Sequence, residues 1–111
     1  MTETFAFQRL DVYVAARELA VLVHAGRVAD AELRDQATRA SKSVVLNLAE
    51  GLGSESPGVR RRHFAIAAGS VHVVAAAVDL AVAIGAMRAS AGEQAQTLAL
   101  RVKRMLRGLM R

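Results

Sequence analysis

The sequence predicts an all-α protein, an antiparallel up-down four-helix bundle forming one domain over residues 1–111. Three observations carry this prediction. Apolar residues recur at three- and four-residue spacing along most of the chain. The composition is rich in Ala, Leu, Val and Arg and holds a single proline, Pro57, which favours helices over strands, and the valines sit at helical spacing beside alanine, so they are read as core packing. The breaks between periodic segments are short, and short connections imply antiparallel neighbours. A bent three-helix arrangement and one long hairpin are the competing layouts.

The first helix is predicted from about Leu10 to Val28, with Tyr13, Ala16, Ala20 and Val23 recurring on one face. Phe5 and Phe7 precede it and are placed to fold back as a small lid on the bundle end. Asp30 is the predicted N-cap of the second helix, which runs from about Ala31 to Leu52. Leu33, Ala37, Ala40, Val44 and Leu48 form its apolar face. Gln36, Arg39, Ser43, Asn47 and Glu50 form a polar stripe beside that face, and Leu46 lies beyond the stripe. Gly51 and Gly53 are expected to terminate the helix, in left-handed or capping positions.

Ser56 followed by Pro57 is an N-cap with proline at the first helical position, which opens a third helix extending to about Met87. Two apolar lines run along it. One holds Val59, Ile66, Ser70, Val73, Ala77, Leu80 and Ile84, and the other Phe64, Val71, Val74, Val78 and Val82. Ala65, Ala68, Gly69, Ala76 and Ala83 fill the remaining surface, and residues this small suit close helix packing. The last helix starts at Ser90 or Gly92 and reaches about residue 110, with Leu98, Val102, Met105, Leu106 and Leu109 as its seam.

Residues 65–87 contain one charge, Asp79. A helix apolar on most sides is buried against several partners or sits in lipid. The segment is long enough to cross a bilayer, but His72 and Asp79 are costly in hydrocarbon. A soluble buried helix is therefore the preferred reading, with no membrane partner and a cytoplasmic location. A chain of 111 residues is too short to wrap that helix with its own core, so self-association is expected.

The sequence has no cysteine, which excludes disulfides and thiolate chemistry. The opening MTETFAFQRLD lacks the basic region and long apolar run of a signal peptide. His24, His63 and His72 show no metal-ligand spacing, so no metal site is assigned. Gly51-Leu52-Gly53-Ser54 lacks the lysine and preceding strand of a phosphate loop, and no cofactor is assigned. Arg39, Ser43, Asn47 and Glu50 share a helical face, but no sequence-local histidine stands by Ser43 to act as a base. With Gln36 they are read as a structural hydrogen-bond network, and the protein as a non-enzyme.

The formal net charge is +5. Arg60, Arg61 and Arg62 form one basic cluster. Arg101, Lys103, Arg104, Arg107 and Arg111 form another that contains no acid. Guanidinium groups bind phosphate oxygens in a bidentate way. In an up-down bundle the start of helix three and the end of helix four lie at the same end. The two clusters are therefore expected to form one patch for RNA or DNA, read through the backbone with low sequence specificity. The competing reading is a solvated surface on a scaffold that binds only protein.

The motifs resemble a family. Phe7, Leu10, Val12 and Tyr13 with Ala16 and Leu19 resemble the start of the bacterial four-helix-bundle proteins called 23S rRNA intervening-sequence proteins. That family includes the accessory variability determinant of diversity-generating retroelements. Gln36, Arg39, Ala40, Ser43, Asn47, Ala49, Glu50 and Gly51 resemble its Q-x-x-R-A-x-x-S-x-x-x-N-x-A-E-G signature. Phe64, Ala67, Gly69 and Ser70 resemble a second one. The resemblance covers about residues 7–90. Relatives usually carry glutamates shortly after the Gly-Ser pair, where this chain has Val73 and Ala75. The resemblance implies a ring-like homopentamer with basic surfaces, no enzymatic activity, and for some members nucleic acid and a reverse transcriptase as partners.

Overall fold

Side-chain caps fix where two of the four helices begin. In the computed structural model, which describes residues 3–111, the elements are α1 (Asp11–Ala25), α2 (Ala31–Gly53), α3 (Pro57–Ala83) and α4 (Ala89–Leu109). A 3-10 turn, Ala6–Arg9, precedes α1. No strand occurs among the described residues. Asp30 Oδ1 accepts the Leu33 amide at 2.9 Å and starts α2. Ser56 Oγ accepts the Val59 amide at 3.4 Å, and Pro57 occupies the first turn of α3. The last helix begins at Ala89 behind Arg88, not at Ser90 or Gly92, and no side chain caps it. Asp30→Ala should lower stability by about 1 kcal/mol, the usual cost of losing an N-cap, measurable by urea unfolding.

α1 and α3 both end earlier than their apolar patterns. α1 stops at Ala25 and α3 at Ala83, where Val28 and Met87 were expected to be helical. Arg27 (φ 49°) and Gly85 (φ 78°) turn the chain through the left-handed region. Val28 and Met87 are nevertheless buried. The two connections meet where the Ala29 amide donates to the Ala86 carbonyl at 2.8 Å. The apolar pattern outlasts the helices because the connections also plug the end of the core.

The core runs along the bundle through Leu19, Val44, Leu48, Phe64, Val74, Val78, Val102 and Leu106, all fully buried. α2 packs on α1 and α3, and α4 packs on α3 and α1. α1 and α3 make no contact, so they stand at opposite corners. α2 and α3 run antiparallel, because Ser43 meets Ser70 while Asn47, one turn later, meets His63. At the end opposite the two connections, the 3-10 turn packs on α1 and α2. Phe7 stacks on Phe5 and meets Tyr13 edge-on, with centroids 5.0 Å apart in the second pair.

Gly51 is not a left-handed stop. It lies inside α2, and a Cβ there would come within 2.6 Å of the Phe64 ring. Gly92 plays the same part in α4, where a Cβ would meet Val82 at 2.5 Å. Close approach, not backbone conformation, accounts for both glycines. The small residues of α3 do not serve that purpose within the subunit, since Ala65, Gly69, Ala76 and Ala83 are exposed.

α3 also leaves one of its two apolar lines in solvent. Phe64, Val71, Val74 and Val78 are buried, whereas Val59, Ile66, Val73, Leu80 and Ile84 are exposed. By length and composition α3 could span a bilayer, and only 33% of its most apolar window is buried in the subunit.

Candidate nucleic-acid interface

The start of α3 and the end of α4 meet at one end of the bundle, where they enclose a small cleft of about 200 Å³. Arg60, Arg61 and Arg111 line it with Phe64, Leu109 and Met110. The two basic clusters thus touch at this point. Successive helical residues are about 100° apart, so the Arg60-Arg61-Arg62 run fans round α3 instead of facing one way. Arg61 and Arg62 are exposed.

Arg60 is committed elsewhere. Its Nη1 donates to the carbonyls of Gly51 (3.2 Å), Leu52 (3.3 Å) and Ser54 (3.1 Å). Its guanidinium carbon lies 5.4 Å from the centroid of the Phe64 ring. It satisfies the carbonyls that α2 leaves open at its C-terminus and stacks on an aromatic face. The sequence distance from Gly51 to Arg60 spans the α2–α3 link, so periodicity alone gives no sign of this cap.

On α4, Arg101, Arg104, Arg107 and Arg111 are exposed and Lys103 is half-buried. Arg101 borders a groove on the α1 side with Leu22 and Leu98. Lys103 borders one on the α3 side with His72 and Leu100. The two therefore flank the outward face on opposite sides. Among the described residues the ion pair formed is His63–Glu50, and none of the eight basic residues proposed for the interface has a carboxylate partner. A run of unpaired cations at the C-terminal end of a helix is favoured by the helix dipole. It is also open to phosphate.

The polar stripe of α2 folds into a chain of hydrogen bonds with α3. Ser70 and Ser43 share a hydroxyl–hydroxyl bond of 2.8 Å. Asn47 Nδ2 donates to the Ser43 carbonyl (3.0 Å) and to its hydroxyl (3.1 Å). That fixes the amide so that Oδ1 faces His63 Nδ1 at 3.0 Å. His63 Nε2 lies 3.2 Å from Glu50 Oε2. Ser43, Asn47 and Glu50 are thereby joined, but by Ser70 and His63, two α3 residues that the sequence reading left out of the network. Gln36 and Arg39 stand outside it. Both are exposed, and Arg39 Nε donates to the backbone carbonyl of Asp35 at 3.4 Å.

The hydroxyl of Ser43 meets Ser70 and Asn47, neither of which is a base. The chain of bonds ties α2 to α3 and leaves no buried side-chain polar atom unsatisfied. Asn47→Ala would leave His63 Nδ1 without its partner, while Ser43 keeps its bond to Ser70. It should cost about 1–3 kcal/mol in chemical unfolding, the penalty for orphaned polar groups. His72 and Asp79 are exposed on α3 and line separate clefts. Among the described residues no three His, Asp or Glu side chains converge.

Four packed helices, a half-buried polar ladder between two of them and a basic end define a small all-helical protein with a cationic surface. The family model described as 23S rRNA-intervening sequence protein matches residues 8–108, and the chain belongs to that family. Comparison with curated proteins gives no significant match.

Proposed function

We propose that the protein is a non-enzymatic, self-associating factor that binds nucleic acid through its arginine-rich end, with little sequence preference. The observation that carries this reading is the set of unpaired cations on α4, joined to Arg61 at the bundle end. No aromatic lies among the cations of α4, so contact there runs through phosphate. The family model's description names an rRNA insertion, which agrees with a polyanionic partner. Assembly, as a pentamer by the family resemblance, would bring the same end of each copy to one rim and raise avidity. A cytoplasmic location and a partner reverse transcriptase belong to the same reading.

Filter binding of labelled RNA and DNA at several salt concentrations tests it. The logarithm of the affinity should fall linearly with the logarithm of salt, with a slope near −0.9 per phosphate contacted on duplex DNA and about −0.7 on single strands. Binding without salt dependence, or none at low salt, would reject it and leave a protein-binding scaffold as the function.

A further inference from the structure

The cleft between the start of α3 and the end of α4 differs from a plain cationic surface. Its volume is about 200 Å³, and the guanidinium residues Arg60, Arg61 and Arg111 line it together with the apolar side chains of Phe64, Leu109 and Met110. No acid borders it. The clefts bordered by Arg101 and Lys103 hold one interface cation each, and Glu93 stands in the first of them. Phosphate alone asks only for charge. Apolar walls among cations suit a ligand that is anionic on its outside and carries a flat, weakly polar body.

Arg60 supplies the floor. Its Nη1 is held by three carbonyls at 3.1–3.3 Å, and its guanidinium carbon lies 5.4 Å from the centroid of the Phe64 ring. The group is fixed before any ligand arrives, so a ligand does not bear the cost of ordering it. A guanidinium plane is a platform on which an unstacked base lies. Phe64 is 1% exposed, so its ring backs the guanidinium and offers little face of its own. Leu109 is exposed and Met110 half-buried at the end of α4, across from Arg60 on α3. Arg61 and Arg111 are exposed, one on each side of the cleft, where bidentate bonds to phosphate oxygens are open to them.

Size and access narrow the ligand further. The cleft is smaller than the roughly 300–1,000 Å³ of drug-sized ligand sites, so it holds one base and not a stacked pair. A base inside a duplex has both faces covered by its neighbours and cannot enter without being unstacked.

We infer that the cleft receives one unpaired nucleotide of a nucleic-acid strand, its base against Arg60 and Leu109 and its phosphates on Arg61 and Arg111. This rests on the nucleic-acid reading above and adds a preference for unpaired strands. Every base has a π-face, so the preference is for the unpaired state and not for a sequence.

Filter binding with three DNA probes of equal length tests it: an oligothymidylate, a strand of abasic residues, and a blunt duplex. The first two carry the same phosphates and differ only in their bases. The oligothymidylate should bind on the order of tenfold tighter than the abasic strand, as expected for stacking one base. The two salt slopes should be equal, because a base releases no counterions. Leu109→Asn removes an apolar wall at an exposed position without changing charge, and circular dichroism checks that its helicity and melting temperature are kept. This variant should lose most of the tenfold gain on oligothymidylate and bind the abasic strand and the duplex as the parent does.

Equal affinity of the parent for oligothymidylate and the abasic strand would overturn the inference, with nucleic-acid binding itself intact. Leu109→Asn weakening duplex binding as much as oligothymidylate binding, or weakening neither, would overturn it as well. Binding of free thymidine monophosphate as tight as that of the oligothymidylate would reassign the cleft to a free nucleotide. No binding of any probe at low salt would reject the nucleic-acid reading and the cleft's role with it.

Discussion

Replacing Phe64 with alanine is expected to destabilise the bundle by about 3–5 kcal/mol, the range for emptying a buried aromatic site. Phe64 is 1% exposed and is the largest fully buried side chain. Its ring fills the space that Gly51 leaves open on α2, and the guanidinium of Arg60 stacks on it. Removing the ring opens a cavity at the α2–α3 contact. It also removes the surface that steadies Arg60, which in turn holds the last carbonyls of α2. In a small domain with about 5–15 kcal/mol of total stability, that is a large fraction. The melting temperature should fall by roughly 10–25 °C, read by circular dichroism. A loss below about 1 kcal/mol would mean that the ring does not anchor this end of the core.

The second large effect concerns binding. Arg104, Arg107 and Arg111 are exposed and lack acidic partners. Changing all three to glutamine keeps their length and polarity and removes three charges per chain. If each contacts one phosphate, affinity should fall on the order of 10²-fold near 0.1 M salt, and the salt slope should flatten by about 2–3. The loss should be alike for all sequences, since phosphate contacts position a nucleic acid without reading it. The mass of the assembly should not change. Unaltered affinity in the triple variant would remove the end of α4 from the interface and turn attention to Arg61 and Arg62.

The helical class, the caps at Asp30 and Ser56 and the two apolar lines of α3 were legible in the sequence because they rest on local rules. A cap needs a side chain within three residues of the amide it accepts, and a buried face needs only the period of the helix. The ends of α1 and α3 were not legible. Val28 and Met87 continue the apolar pattern in connections that are buried but not helical. Hydropathy reports burial and is blind to the left-handed turns at Arg27 and Gly85.

The family signature also named part of the polar ladder without saying how it closes. Ser43, Asn47 and Glu50 share a helical face, so their grouping follows from spacing. Ser70 and His63 join them only because α3 runs antiparallel to α2 at the register that sets Ser43 against Ser70. In sequence Arg60 is one of three adjacent cations, and only the packing of α3 on α2 brings its guanidinium to the end of α2. Gly51 reads as a helix stop by position alone, and only the Phe64 ring against it explains why no side chain fits there.

By itself, then, the sequence determined that this chain makes four helices, which faces of them are apolar, and that its arginines collect at the segments meeting at one end. These are properties of short windows, set by side-chain spacing and charge. The tertiary structure alone decided which apolar line of α3 the subunit covers and which cation is spent on a helix end. Those outcomes depend on which surfaces of distant segments come into contact, and a one-dimensional pattern holds no distances between helices.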